Sequence, residues 1–201
     1  VLGLVHSKDN ILYVASQSHV FKNNNSTWTS GSAAELVFPL THFISAMCEY
    51  GNFIAFALAS KSGVGSTRVY LWDRNSSVTT FTESIDFGEG EIRILEEVDG
   101  YLVAIILAGN SSVRFDNRIT FKYYAGGTII KKFKEIVSST TGTTALLTAK
   151  QKINNRLYFA MRAYIGREQR DGIWSKGRIS DGSFSLVHER TPNNSTALES
   201  A

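Results

Sequence analysis

The sequence predicts an all-β protein that is assembled from a repeated antiparallel sheet. Four apolar runs recur along the 201 residues, and a pair of turn-forming residues stands directly before each run. The runs are residues 11–16, Phe53–Ser60, 101–109 and 156–164, and the pairs are Asp9-Asn10, Gly51-Asn52, Asp99-Gly100 and Asn154-Asn155. Such pairs tolerate the positive φ angles of two-residue hairpin turns, so a strand is predicted on both sides of each pair.

The remainder of each repeat is also predicted as strands. The strand before each turn pair covers residues 1–6, 43–48, 92–98 and 145–153. A third strand is centred on Val20, Val69, Ile119 and Ile173, and a fourth carries Trp28, Phe81, Phe133 and Phe184. In residues 118–123 apolar and polar side chains alternate with the period of two that strands have. Units of four strands and roughly 50 residues are typical of β-propeller blades.

The repeats therefore predict a single β-propeller region over residues 1–201, with four four-stranded antiparallel blades. The expected blades cover residues 1–35, 36–88, 89–139 and 140–190. Residues 191–201 are expected to begin a further blade or to form a tail. Because residues 195–201 resemble residues 143–149, where the fourth blade opens, we expect the blades to belong to a larger ring. A β-sandwich also has short strands and regular turns, but it does not explain this ordered repetition.

The composition excludes several classes of protein. Hydrophobic residues make up 43% of the chain and charged residues 19%, which favours a buried core over disorder. The apolar runs are too short for a membrane-spanning helix. The single cysteine, Cys48, excludes an internal disulfide, and we expect it to be a small buried side chain. The net charge of +3 selects no partner by itself.

The loops that follow the apolar runs are expected on one face of the blades, together with the links between blades. The loops cover residues 61–67, 110–117 and 165–171, and the links include residues 29–41 and 137–143. These segments are longer than the two-residue turns of the opposite face, and binding sites concentrate in such loops. We predict a binding face that carries the basic residues Lys61, Arg68, Arg114, Arg118, Arg167 and Arg170.

Such a basic face suits an anionic partner, which is either an acidic protein surface or a carboxylate-bearing glycan. The alternative interpretation is that these side chains are ordinary solvated loop charges. The basic residues lack an interleaved aromatic platform, so nucleic-acid binding is not expected.

No pattern of residues indicates catalysis or a metal site. The four histidines, His6, His19, His42 and His188, lack the spacing of metal ligands. Glycoside hydrolysis needs two placed carboxylates or a tyrosine nucleophile with an acid, for which the candidates are Asp116, Glu168, Asp171 and Tyr164. Residues 21–28 resemble the Asp-box hairpin of sialidases, which is structural, and keep its Trp28. We therefore expect no enzyme activity, no catalytic residues, no metal and no cofactor.

Three segments resemble the divergent propellers of tailed-phage structural proteins. They are RVYLWD at residues 68–73, IDFGEGEIRILEEVDGYLVAI at 85–105 and RITFKYYAGG at 118–127. The resemblance implies a tail hub, nozzle or accessory component of a virion that assembles with other protein subunits in an oligomer. The pattern departs from WD repeats, because Trp72-Asp73 occurs only once. The alternatives are an extracellular carbohydrate-binding or sialidase-like propeller, and an intracellular scaffold for peptides.

Overall fold

The computed structural model describes residues 4–6, 11–24, 27–28, 34–63, 65–74, 83–110, 113–130, 136–137, 146–165, 168–176 and 186–190. Every regular element in these ranges is a β-strand, and the strands form four antiparallel sheets that follow one another along the chain. The predicted fold class is confirmed: the protein is all-β, and its sheets are blades of the β-propeller kind. The chain divides into two compact units, Val1–Leu95 and Glu96–Ala201.

The first sheet has an outer edge that is made by two separate strands. Its strands are β1 (Leu4–His6), β2 (Leu12–Ser16), β3 (His19–Asn24), β4 (Thr27–Trp28) and β5 (Leu36–Val37). Both β4 and β5 pair with β3, so that Trp28 lies opposite Asn23 and Val37 lies opposite His19. The expected link at residues 29–41 therefore contains a strand, and the sheet extends two residues past the expected blade boundary.

The second sheet has four strands in chain order. They are β6 (His42–Tyr50), β7 (Phe53–Ser60), β8 (Ser66–Trp72) and β9 (Glu83–Glu89). The six residues between Phe53 and Ser60 are all buried, as expected of a strand that is covered on both faces. Cys48 of β6 is buried, as predicted.

The third and fourth sheets repeat this order. The third contains β10 (Glu91–Val98), β11 (Tyr101–Asn110), β12 (Val113–Ala125), β13 (Thr128–Ile130) and β14 (Ile136–Val137). The fourth contains β15 (Leu146–Ile153), β16 (Arg156–Ile165), β17 (Glu168–Lys176) and β18 (Leu186–Arg190). In the third sheet β13 and β14 both pair with β12, so its outer edge is divided like that of the first sheet. Phe81, Phe133, Phe184 and residues 191–201 lie outside the described residues.

The predicted two-residue turns are confirmed where the structure describes them. Positive φ angles occur at Gly51 (57°), Asp99 (55°), Gly100 (79°), Asn154 (48°) and Asn155 (58°). Two successive positive φ angles are those of a type I′ turn, whose twist matches that of the strands it joins. The pair Asp9-Asn10 lies outside the described residues.

The prediction of loops at residues 110–117 and 165–171 is wrong. The strand β12 already begins at Val113, and β17 begins at Glu168, so both segments belong largely to extended hairpins. The reason is that apolar and polar residues alternate in VRFD at the start of β12, which is strand periodicity despite the many charges. Arg114, Arg118 and Arg170 are therefore strand residues.

Buried aromatic side chains pack the first sheet against the second inside the first unit. Tyr13 of β2 meets Trp72 of β8 edge-to-face, with ring centroids 5.6 Å apart. The ring of Phe56 on β7 lies 6.2 Å from that of Trp72 and 5.8 Å from that of Phe38. All four side chains are buried, and such pairs contribute about 0.5–1.5 kcal/mol each beyond the burial of their area.

In the second unit, apolar and charged contacts join the third sheet to the fourth. The rings of Phe121 on β12 and Phe159 on β16 are 6.0 Å apart. At the surface, Lys150 Nζ lies 2.9 Å from Glu96 Oε2, and Lys152 Nζ donates to the Glu97 carbonyl at 3.0 Å. The partly exposed ion pair and the hydrogen bond to the backbone add little free energy, so the apolar contact provides most of the attraction.

We predict that Phe56→Ala lowers the free energy of unfolding by about 3–5 kcal/mol, because it leaves a cavity among rings that cannot close fully. Urea denaturation of the full chain, followed by tryptophan fluorescence, measures this change. Leu40→Ala is the control: this side chain is 68% exposed, and the substitution should change stability by less than about 0.5 kcal/mol. Equal effects of the two substitutions would contradict the assigned core.

Candidate functional site

An open cleft of about 350 Å³ lies in the first unit, at the end of the second sheet where β7 leads into β8. Its lining combines residues that precede or begin β6 with residues from the facing ends of β7 and β8. These residues are Pro39, His42, Leu58, Ser60, Gly65, Ser66, Arg68 and Tyr70. The cleft therefore lies where the sequence analysis places the link between blades and the loop that follows the apolar run.

Arg68 is the charged residue of the cleft. Its side chain is 48% exposed. The Nη1 group donates to Ser84 Oγ at 3.1 Å, and the Nη2 group donates to Asp86 Oδ2 at 3.5 Å. These contacts use two of the five guanidinium N–H groups, and the other three meet no acceptor among the described residues. The guanidinium is thus held in place while part of its donor set stays available.

Strand periodicity directs Arg68 outward. Its neighbours Thr67 and Val69 are completely buried, and Thr67 Oγ1 donates to the Leu58 carbonyl at 2.9 Å. Because successive residues of a strand point to opposite faces, Arg68 must then face solvent. A β-bulge between Thr67 and Arg68 shifts the register and sets Arg68 opposite Asp86.

The link that borders the cleft is held in place by backbone hydrogen bonds. The His42 N–H donates to the Pro39 carbonyl at 2.9 Å, which closes a tight turn with Leu40 and Thr41 at its tip. The Thr41 carbonyl in turn accepts a bond of 3.0 Å from the backbone N–H of Lys61. These bonds fix the turn against the end of β7.

A buried ring anchors the same link to the second sheet. Phe38 is 2% exposed, and its ring lies 5.8 Å from that of Phe56 and 5.5 Å from that of Tyr70. The residues around Phe38 point the other way: Val37 is 61% exposed and Leu40 is 68% exposed. Pro39 is exposed as well. We call Val37, Pro39 and Leu40 the link patch.

The predicted basic residues lie in different parts of the chain. Lys61 is exposed in the turn after β7, and Arg68 lines the cleft, so these two lie at one end of the second sheet. Arg114, Arg118 and Arg170 belong to strands of the second unit, and Arg167 lies outside the described residues. The link patch and Tyr70 were not predicted as binding residues from the sequence. Apolar residues inside a predicted link were the feature that could have indicated the patch.

The residues considered for catalysis lie in the second unit. Asp116 is in β12, Glu168 and Asp171 are in β17, and Tyr164 is in β16. The carboxylate of Asp171 is nearly buried, and its Oδ2 accepts from Arg162 Nε at 3.2 Å. This geometry is that of an ion pair within a sheet. Within the described ranges no group of three His, Cys, Asp or Glu could hold a metal ion, and no helix is long and apolar enough to cross a membrane.

A lysine is buried in the second unit. Lys176 is 1% exposed, and its Nζ lies 5.9 Å from the centre of the Tyr123 ring. Burial, and to a smaller extent the nearby charge of Arg156, lowers the pKa of Lys176 to about 7. Burial also raises the pKa of Tyr123. Lys176 is enclosed rather than accessible, so we assign it to the core and not to binding.

In the first unit, burial raises the pKa of Glu91, while Arg93 at 3.1 Å acts in the opposite direction.

No protein-family model matches the chain, and no curated protein matches it. Among solved structures, a chain from a crystal structure of a mitotic checkpoint complex aligns with 13% sequence identity and a TM-score of 0.43. The alignment covers 93% of this chain and 64% of that one, so this chain spans less than two thirds of the other's length. The fold assignment rests on the four sheets themselves.

We predict that the buried Lys176 makes stability rise with pH above about 7. Below pH 7 the folded and unfolded states both carry the proton. Between about 7 and the ordinary lysine value of 10.5 the unfolded state binds more protons, so the free energy of unfolding increases with pH. Urea denaturation between about pH 6 and pH 9 measures the slope and stays below the range in which tyrosines ionise.

Lys176→Met should remove this part of the slope, whereas the exposed Lys61→Met should leave it unchanged. An identical pH dependence of Lys176→Met and the unaltered chain would show that the folded state does not depress this pKa.

Proposed function

We propose that the protein is a non-enzymatic β-propeller of a phage virion, where it acts as a tail hub, nozzle or accessory component by binding other protein subunits. The propeller fold itself is consistent with a protein-interaction role. The proposal places the contact on the link patch and on the adjoining cleft of the first unit. No chemical step is required of such a component, because its rigid sheets only present a surface.

The observation that carries the proposal is the exposure of apolar side chains on a fixed backbone. Three of the four residues at positions 37–40 are exposed and apolar, although single exposed apolar residues would be ordinary. An arginine and a tyrosine line the cleft beside them. Apolar, aromatic and arginine side chains are the residues that dominate the centres of protein interfaces.

The hydrogen bonds of the link favour binding at this surface, because they order the surface before a partner arrives. A surface that is already ordered loses little conformational entropy when a partner binds. The turn closed by Pro39 and His42 and the buried ring of Phe38 hold Leu40 in place before any partner arrives. Leu40 is therefore the residue that we expect to contribute most to the contact.

The virion setting is supported by the resemblance of residues 68–73, 85–105 and 118–127 to tailed-phage propellers. A glycan-binding propeller is the second candidate, and the pairing of Tyr70 with Arg68 in the cleft favours it. An aromatic ring can stack on a sugar while a guanidinium binds its carboxylate. The apolar link patch favours the protein partner over the sugar.

We predict that Leu40→Asp reduces the incorporation of the chain into virions by about tenfold or more, because it places a charge in an apolar contact. Quantitative mass spectrometry of purified particles measures the incorporation of the full chain. The matched control is Ile153→Asp, which changes a side chain that is 51% exposed in the second unit and should leave incorporation unchanged. Absence of the unaltered chain from purified particles would contradict the virion role.

A further inference from the structure

We propose that the cleft beside the link patch receives an acidic side chain, Asp or Glu, of the partner protein, with its carboxylate on Arg68. The inference rests on the proposed function, since it names the chemistry by which a protein partner would be recognised. An apolar residue next to that acid would lie on the link patch. The partner segment therefore combines one carboxylate with an adjacent apolar side chain.

The donors around the cleft fit a carboxylate. Arg68 has three N–H groups that meet no acceptor in the part of the chain the structure describes, and a guanidinium matches a carboxylate in a bidentate manner. The Nδ1 atom of His42 lies 2.9 Å from Thr41 Oγ1, and in the tautomer in which Nδ1 accepts from that hydroxyl the Nε2–H can donate to a ligand. The hydroxyl of Ser66 is a further donor in the lining. The described lining contains no acidic residue, and the carboxylate of Asp86 contacts Arg68 at 3.5 Å from outside that lining.

Asp86 orients Arg68 without neutralising it fully. The ion pair spans 3.5 Å, and both side chains are nearly half exposed, so the attraction between them is weak. Asp86 is itself fixed, because its Oδ1 accepts from the Gly88 backbone N–H at 2.8 Å. An incoming carboxylate can therefore bind the guanidinium N–H groups that Ser84 and Asp86 do not engage.

The surroundings favour a polypeptide as the source of the carboxylate. The cleft volume of about 350 Å³ accommodates a side chain, and Leu58 and Tyr70 supply apolar walls. Outside the cleft, Val37 and Leu40 present apolar surface that an aliphatic peptide side chain covers better than a hydrated sugar does. The combination of one cationic group with an adjacent apolar surface matches an Asp or Glu that has Leu, Ile or Val next to it in the partner's sequence.

The test is a titration of the isotope-labelled full chain, followed by NMR, with N-acetyl-glutamyl-leucine amide as the probe. The glutamine analogue of this probe is the matched control ligand. We expect millimolar binding of the glutamyl probe, with chemical-shift changes at Arg68, His42 and Ser66. Binding of the glutamine analogue should be about three- to tenfold weaker, and higher salt should weaken the glutamyl probe only.

Two protein variants complete the test. Arg68→Gln should reduce glutamyl-probe binding to the level of the glutamine analogue. Arg93→Gln should have no effect, because Arg93 is an equally exposed arginine with an acidic neighbour, Glu91, outside the cleft. Equal binding of the two probes, or shift changes elsewhere in the chain, would overturn the proposal. Tighter binding of N-acetylneuraminic acid than of the glutamyl probe would overturn it in favour of a sugar.

The outcomes separate this inference from the proposed function. Chains that bind the glutamyl probe but are absent from virions would refute the virion role and leave the carboxylate site intact. Chains that enter virions but do not distinguish the two probes would refute the carboxylate site alone.

Discussion

The burial of Phe38 is the interaction on which the candidate binding surface depends. Its ring enters the core of the first unit and packs near Phe56 and Tyr70, while its backbone N–H donates to the Ser18 carbonyl at 2.8 Å. Because neighbouring residues of an extended chain point in opposite directions, the burial of Phe38 forces Val37 outward. The turn that follows then carries Leu40 to the surface. The exposed patch is thus a consequence of how the core is packed.

The alternation of side chains along a strand also positions the charged group of the cleft. The burial of Thr67 and Val69 turns Arg68 toward solvent, and Asp86 on the neighbouring strand steadies its guanidinium. Arg68 and Asp86 lie on the paired strands β8 and β9, so the sheet fixes the geometry of this part of the site. A rigid site loses little entropy on binding, which suits the proposed role in assembly.

The turn-forming residue pairs and the apolar runs were enough to predict the hairpins and the buried strands. The pairing of strands that are far apart in the sequence could not be predicted in this way. Asp99-Gly100 and Asn154-Asn155 indicate tight turns by themselves, because few other residues tolerate two positive φ angles. Leu36–Val37 becomes a strand because it pairs with His19 and Val20 of β3, which lie 18 and 16 residues earlier in the chain. Arg68 was predicted as a binding residue from its type and place, but its cleft is formed by tertiary packing. The loop predicted at residues 110–117 is wrong because the alternation of apolar and polar residues continues the strand from Val113 onward.

The most direct test of the central claim is a cryo-electron-microscopy structure of the chain within its native assembly. The account predicts that another protein subunit covers the link patch, with an apolar side chain on Leu40 and an acidic side chain against Arg68. A structure in which Leu40 and Arg68 both remain exposed to solvent, while other parts of the chain contact neighbouring subunits, would contradict it.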